Sequence, residues 1–114
     1  MKYLQYEINL LNNYPRIYTV DNFLSKEECN HLINIGIKNL TRAGVVGEQQ
    51  ISSGRTNYHS WINLEYDNNV INIIRKISEL IQIDKDNLEQ IQFLSYENGQ
   101  KYDPHYDAFE LDCH

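Results

Sequence analysis

His105-Tyr106-Asp107 is the most definite pairing of chemistry-bearing residues in the chain. On an extended segment the side chains at i and i+2 point to one side, so an imidazole and a carboxylate converge. Those are two of the three protein ligands in the facial arrangement that holds non-haem iron(II) and leaves positions open. A histidine beside an aspartate on an ordinary surface has the same spelling, so three residues alone leave both meanings open. Asp103-Pro104 shapes the entry to this segment, because proline fixes its own φ and biases the residue before it towards extended geometry. His31 is expected on the surface of a helix and His59 in a polar loop. Cys29 and Cys113 are not spaced as a metal-ligand pair, and two cysteines build no disulfide framework. That points to a reducing, cytoplasmic setting.

Something must position these groups, and 114 residues with 41% hydrophobic content allow a single domain, residues 1–114. Ten Lys and Arg against 16 Asp and Glu give a net charge of −6 with no basic cluster, which argues against a nucleic-acid or anionic-membrane surface. No apolar run approaches the roughly 18 residues of a membrane span, and polar residues break up the N-terminus too early for a signal peptide. The first 14 residues have no assignable pattern. Arg16–Val20 alternates and is expected to form a strand. Ser25 and Glu28 spell a capping box that opens a helix, with Cys29, Leu32, Ile33, Gly36, Ile37 and Leu40 as its buried stripe. A short strand is expected at Ala43–Val46, a loop over 47–55, and extended chain over Tyr58–Leu64. A second helix spans Asn68–Ile81 and buries Val70, Ile73, Ile74, Ile77, Leu80 and Ile81. Asp84–Asn87 reads as a turn and Gln90–Tyr96 as a strand closed by a turn at Glu97-Asn98-Gly99. Gln100–Phe109 is expected to be extended. The fold class is α+β, with helices ahead of a sheet.

The run Tyr96-Glu97-Asn98-Gly99-Gln100-Lys101-Tyr102-Asp103-Pro104-His105-Tyr106-Asp107 resembles the metal-site segment of the prolyl 4-hydroxylases, which are Fe(II)/2-oxoglutarate-dependent dioxygenases. Ile17–Glu28 is similar to that family's opening stretch, and Arg55-Thr56-Asn57 with Trp61 to its Arg-Thr-Ser and Trp elements. The similarity runs from about Pro15 to Phe109. It implies His105 and Asp107 as iron ligands and Tyr96 as a hydrogen-bond donor to the 2-oxoglutarate carboxylate. It also implies Arg55, Asn57, Trp61, Glu89 and Tyr102 as the lining of a groove for a proline-containing peptide, with Asn57 in place of the family's serine. Aromatic faces suit a preformed polyproline II ligand, and Arg, Asn and Glu can hold its backbone. Read without the resemblance, Trp61 and Tyr102 are core aromatics, Arg55 a loop charge and Glu89 a turn residue.

The implied fold is the N-terminal portion of a double-stranded β-helix (jelly-roll) oxygenase domain with two helices packed on the sheet. The implied activity is hydroxylation of peptidyl proline at C4, with Fe(II), 2-oxoglutarate and ascorbate. Residues 108–114 include no Lys or Arg to meet the distal carboxylate of 2-oxoglutarate, and His114 is the sole further candidate ligand after Asp107. These 114 residues alone are therefore expected to be inactive and to self-associate through an uncovered sheet. The alternatives are a non-catalytic peptide-binding half-domain working through Arg55, Trp61 and Tyr102, or a structural half-domain that needs a partner segment.

Overall fold

The computed structural model describes residues 1–43 and 54–107. Their order is β1 (Lys2–Tyr3), β2 (Tyr6–Asn13), β3 (Arg16–Val20), α1 (Lys26–Ile37), β4 (Thr41–Arg42), β5 (Tyr58–Ile62), α2 (Asn68–Ile81) and β6 (Ile91–Ser95), with one 3-10 turn at Lys85–Asn87. The class is α+β, built from two small antiparallel sheets, β1-β2-β3 and β4-β5-β6. Among the described residues no helix is long and apolar enough to cross a membrane.

The first two strands of the first sheet occupy residues that carry no clear pattern in the sequence. The register shift in the β2–β3 pairing explains why: Leu10 faces Tyr18 but Asn12 faces Ile17, leaving Leu11 as the extra residue of a bulge. A bulge places two neighbouring residues opposite one and breaks the period-two alternation on which a strand is recognised. β3 forms where expected, although Ile17 on it is 48% exposed.

Ser25 caps α1 through both halves of the expected box: its Oγ accepts from Glu28 N, and Glu28 Oε1 accepts from Ser25 N. The buried face of α1 differs from the expected stripe. Cys29, Ile33 and Ile37 face solvent, and the inward face runs through Glu28, His31, Leu32, Ile35 and Gly36. The apolar spacing misleads here because two polar residues of that face are matched by charges on α2. Lys76 Nζ lies 2.9 Å from Glu28 Oε1, and His31 Nε2 lies 2.7 Å from Asp67 Oδ2. His31 is thus a bridging residue rather than a surface one. The Ser25 amide, followed by Lys76, holds the Glu28 carboxyl below its ordinary range.

Asp67 caps α2, accepting from Val70 N at 2.8 Å, and a left-handed Gln82 at φ 59° ends it. This bond and the His31 contact lower the Asp67 carboxyl pKa. Val70, Ile73 and Ile74 are buried, whereas Ile81 emerges into solvent. Ile35, Ile62, Val70 and Ile74 form the core, with Leu32, Leu64, Ile77, Leu88, Ile91 and Phe93 packed around them. Both helices therefore meet the face of the second sheet that carries Ser60 and Ile62. Ser60 Oγ donates to Gly36 O at 2.7 Å, joining that face to α1. The strand expected at Ala43–Val46 lies two residues earlier, at Thr41–Arg42, with Ala43 fully buried beside it. The rest of that expectation, at 44–46, most of the 47–55 loop, and residues 108–114 with Cys113 and His114 lie outside the described residues.

Candidate metal centre and peptide face

The backbone brings two distant segments together before any side chain is considered. Thr56 N donates to Lys101 O at 2.7 Å, Lys101 N to Thr56 Oγ1 at 2.7 Å, and Asp103 N to Gly54 O at 2.8 Å. Arg55 and Tyr102 form a β-bridge within this pairing. The expected strand over Gln100–Phe109 is reduced, among the described residues, to that bridge, with the Glu97–Gln100 turn closed by Gln100 N donating to Glu97 O and Gly99 at φ 88°. Thr56 and Lys101 lie in the stretches singled out in the sequence but are not among the expected site residues. Their role appears only once the two segments are seen side by side.

A column of side chains is built on the bridge. Arg55 is 8% exposed, its Nε–H donates to Asn57 Oδ1 at 3.1 Å, and its guanidinium carbon lies 4.2 Å from the centre of the Tyr102 ring. The other face of the Tyr102 environment is occupied by His105, whose ring stacks at 3.8 Å and 8° from parallel. His105 Nε2 in turn lies 3.0 Å from Asp107 Oδ1. Arg42 Nη2 donates to the Arg55 carbonyl at 3.3 Å and supports the top of the column.

His105 is oriented as a metal-binding imidazole is. Its Nδ1 lies 2.8 Å from Asp103 O, and a carbonyl can only accept, so Nδ1 carries the proton. That leaves Nε2 directed at a carboxylate oxygen. Two donors about 2.1 Å from a shared metal at a right angle sit about 3.0 Å apart, so the pair fits adjacent metal positions. Asp107 is 96% exposed in its side chain, which leaves room for further ligands. Among the described residues no group of three or more His, Cys, Asp or Glu is assembled into a metal cage.

The remaining candidates divide. Trp61 and Tyr96 are 48% and 47% exposed, so neither is a core aromatic. Asn57 lies behind the guanidinium: it is fully buried, accepts from Arg55 Nε–H and donates Nδ2 to Tyr58 O at 3.2 Å. Its amide is spent inside the protein and fixes where the guanidinium points. Glu89 is exposed between the 3-10 turn and β6, away from the strands that carry the column. His59 is not in a loop but on β5, partly buried, with Nδ1 2.9 Å from Gln92 Nε2 and its ring edge-on to Trp61 at 5.8 Å. Desolvation first, and then the nearby Arg55 charge, hold its pKa below the ordinary histidine value.

No family model matches the chain. Over 107 aligned positions it is 37% identical to prolyl 4-hydroxylase 2 of Arabidopsis thaliana, covering 90% of this chain and 36% of that protein. It is 39% identical over 100 positions to probable prolyl 4-hydroxylase 6 of the same plant, covering 83% and 35%. Against probable prolyl 4-hydroxylase 11 the identity is 33% over 115 positions, covering 90% and 42%. The chain thus spans roughly a third of the length of the curated relatives it matches first.

Proposed function

This chain belongs to a prolyl 4-hydroxylase-like family, and from that footing we propose that it carries two of the metal ligands and much of the peptide face of an Fe(II)/2-oxoglutarate-dependent peptidyl-proline hydroxylase. One observation carries the reading: Arg55, Tyr102, His105 and Asp107 form one continuous column, so a metal pair and a groove cation share a single aromatic ring.

His105 and Asp107 hold Fe(II), with Asp103 O setting the imidazole tautomer. The metal and 2-oxoglutarate, when bound, supply the O₂ activation that hydroxylates proline C4, with ascorbate keeping the metal reduced. Tyr96 donates its phenol hydrogen to the co-substrate carboxylate. Trp61 offers its face to a proline-containing peptide, Tyr102 lines the groove by its edge between Arg55 and His105, and Arg55, held by Asn57, binds a peptide carbonyl. Glu89 meets the peptide from the loop before β6. No third metal donor or basic partner of 2-oxoglutarate is assigned among the described residues, and in this reading the second sheet is part of a jelly roll. Self-association of the 114 residues is part of the same reading, since Leu10, Leu11 and Ile17 are exposed on the first sheet.

The test is succinate formation from 2-oxoglutarate with Fe(II), ascorbate and a proline-rich peptide, run beside calorimetric titration with Fe(II) or Mn(II). The 114 residues are expected to bind metal weakly, to lose that binding in His105→Ala, and to give no turnover. Unchanged metal affinity in His105→Ala refutes the centre. Robust turnover by the 114 residues refutes the division of labour. Peptide binding without any metal binding favours the peptide-binding half-domain instead.

A further inference from the structure

One half-buried titratable side chain has no part in this mechanism. On β5, Ser60 and Ile62 face the helices, and His59 and Trp61 face the opposite way. That open face of the sheet also carries Gln92 and Leu94 of β6, which pair with Trp61 and His59 across the strands. Gln92 Nε2 donates to His59 Nδ1 at 2.9 Å, so the proton of a neutral ring resides on Nε2. Among the described residues nothing accepts from His59 Nε2–H, nor from the indole N–H of Trp61. Two fixed donors therefore flank an exposed aromatic face.

We infer that His59 is a specificity-determining residue of the peptide face, presenting its Nε2–H to a backbone carbonyl of a proline-rich peptide lying across Trp61. This rests on the proposed peptide hydroxylase reading and deepens it. The chemistry selects the occupant. A run of prolines has no backbone N–H, so its main chain offers only acceptors, and its polyproline II conformation leaves them all solvated. The complementary surface is an aromatic face edged with donors and free of acceptors. His59 meets that need with the proton on Nε2, whereas the neutral Nδ1–H tautomer would present an acceptor there. The Gln92 hydrogen bond selects that tautomer, and the partial burial and the Arg55 cation beside the ring disfavour a second proton.

Trp61 is the only tryptophan in the sequence, so its emission reports on this patch without a label. The full chain is titrated with a proline decapeptide at pH 7.5, following Trp61 fluorescence, with far-UV circular dichroism as the control for folding. Two variants separate the donor from the packing. His59→Asn keeps a polar partner for Gln92 but withdraws the donor at the Nε2 position, and is expected to weaken binding about five- to tenfold, the loss of one hydrogen bond. His59→Gln restores an N–H at that reach and is expected to bind within about twofold of the parent. A folded His59→Asn protein with parental affinity overturns the inference and leaves the hydroxylase reading standing. Should both variants be weakened equally while folded, His59 acts through packing and the inference fails. Absence of any saturable fluorescence change in the parent chain, together with no response in Arg55→Ala, overturns the peptide face itself.

Discussion

Replacing Gly36 by alanine adds one methyl group where α1 meets β6. The added Cβ overlaps Cγ of Phe93 and lies 2.5 Å from its Cδ1 and Cδ2. Cγ sits on the χ2 axis, so flipping the ring leaves it in place, and the whole side chain must move. The helix cannot easily withdraw, because the Gly36 carbonyl accepts from Ser60 Oγ at 2.7 Å. Overpacking of this kind costs about 1–3 kcal/mol. Alanine in a helix interior recovers about 0.5–1 kcal/mol over glycine. The net loss expected is about 1–2 kcal/mol, which for a chain of this size lowers Tm by about 5–15 °C. Asn34→Ala, exposed on the same helix, isolates the propensity effect and is expected to raise Tm slightly. Thermal and urea unfolding followed by far-UV circular dichroism read both. The Phe93→Ala background supplies a cycle: there, Gly36→Ala is expected to cost nothing further, a coupling of about 1 kcal/mol or more. If Gly36→Ala stabilises the protein as much as Asn34→Ala does, the close approach of α1 to Phe93 is wrong.

Ile74→Ala is expected to lower stability by about 2–5 kcal/mol, since Ile74 is 4% exposed in the core, and Leu80→Ala by clearly less, since Leu80 is only partly buried; a reversed order in urea midpoints would place α2 in the wrong rotation. Glu28 and Asp67 both have lowered folded pKa values, so the stability they add is fully present above their ordinary values of 4.5 and 3.8 and is lost as pH falls through the folded ones. Urea midpoints measured from pH 6 down to pH 2.5 should therefore decline, and Glu28→Gln with Asp67→Asn should flatten that decline; parallel curves would refute the pairing. Tyr102→Leu removes the ring on which His105 stacks and is expected to weaken Mn(II) binding several-fold by calorimetry while leaving the core intact, and an unchanged affinity would make the stack incidental.

The helices and the central strand β5 were legible because each obeys a local rule. Ser25 and Glu28 mark the start of α1, and the bounds Asn68–Ile81 follow from apolar spacing alone. The rotation of α1 was not legible, because Glu28 and His31 are inward residues only in view of Lys76 and Asp67, some 36 to 48 positions away. Strand β2 was hidden by the bulge at Leu11, where its pairing with β3 shifts register. At the site, His105 and Asp107 meet at 3.0 Å, although the strand on which the i, i+2 rule relies is reduced to the bridge at Tyr102. The burial of Asn57 and the position of His59 on a strand were beyond reach, since both depend on which partners the fold supplies from Arg55 and Gln92.

Tyr102 lies between a cation and an imidazole, 4.2 Å from one and 3.8 Å from the other. A ring held from two sides surrenders its rotational freedom once, to whichever neighbour is ordered first. If His105 takes a metal and Arg55 a peptide as proposed, fixing either one lowers the entropy still to be lost on fixing the other. The two affinities are then linked, and linkage is reciprocal: the factor by which metal tightens the peptide equals the factor by which peptide tightens the metal. Tyr102 would in this way couple the two ligands through the one ring that their binding residues share.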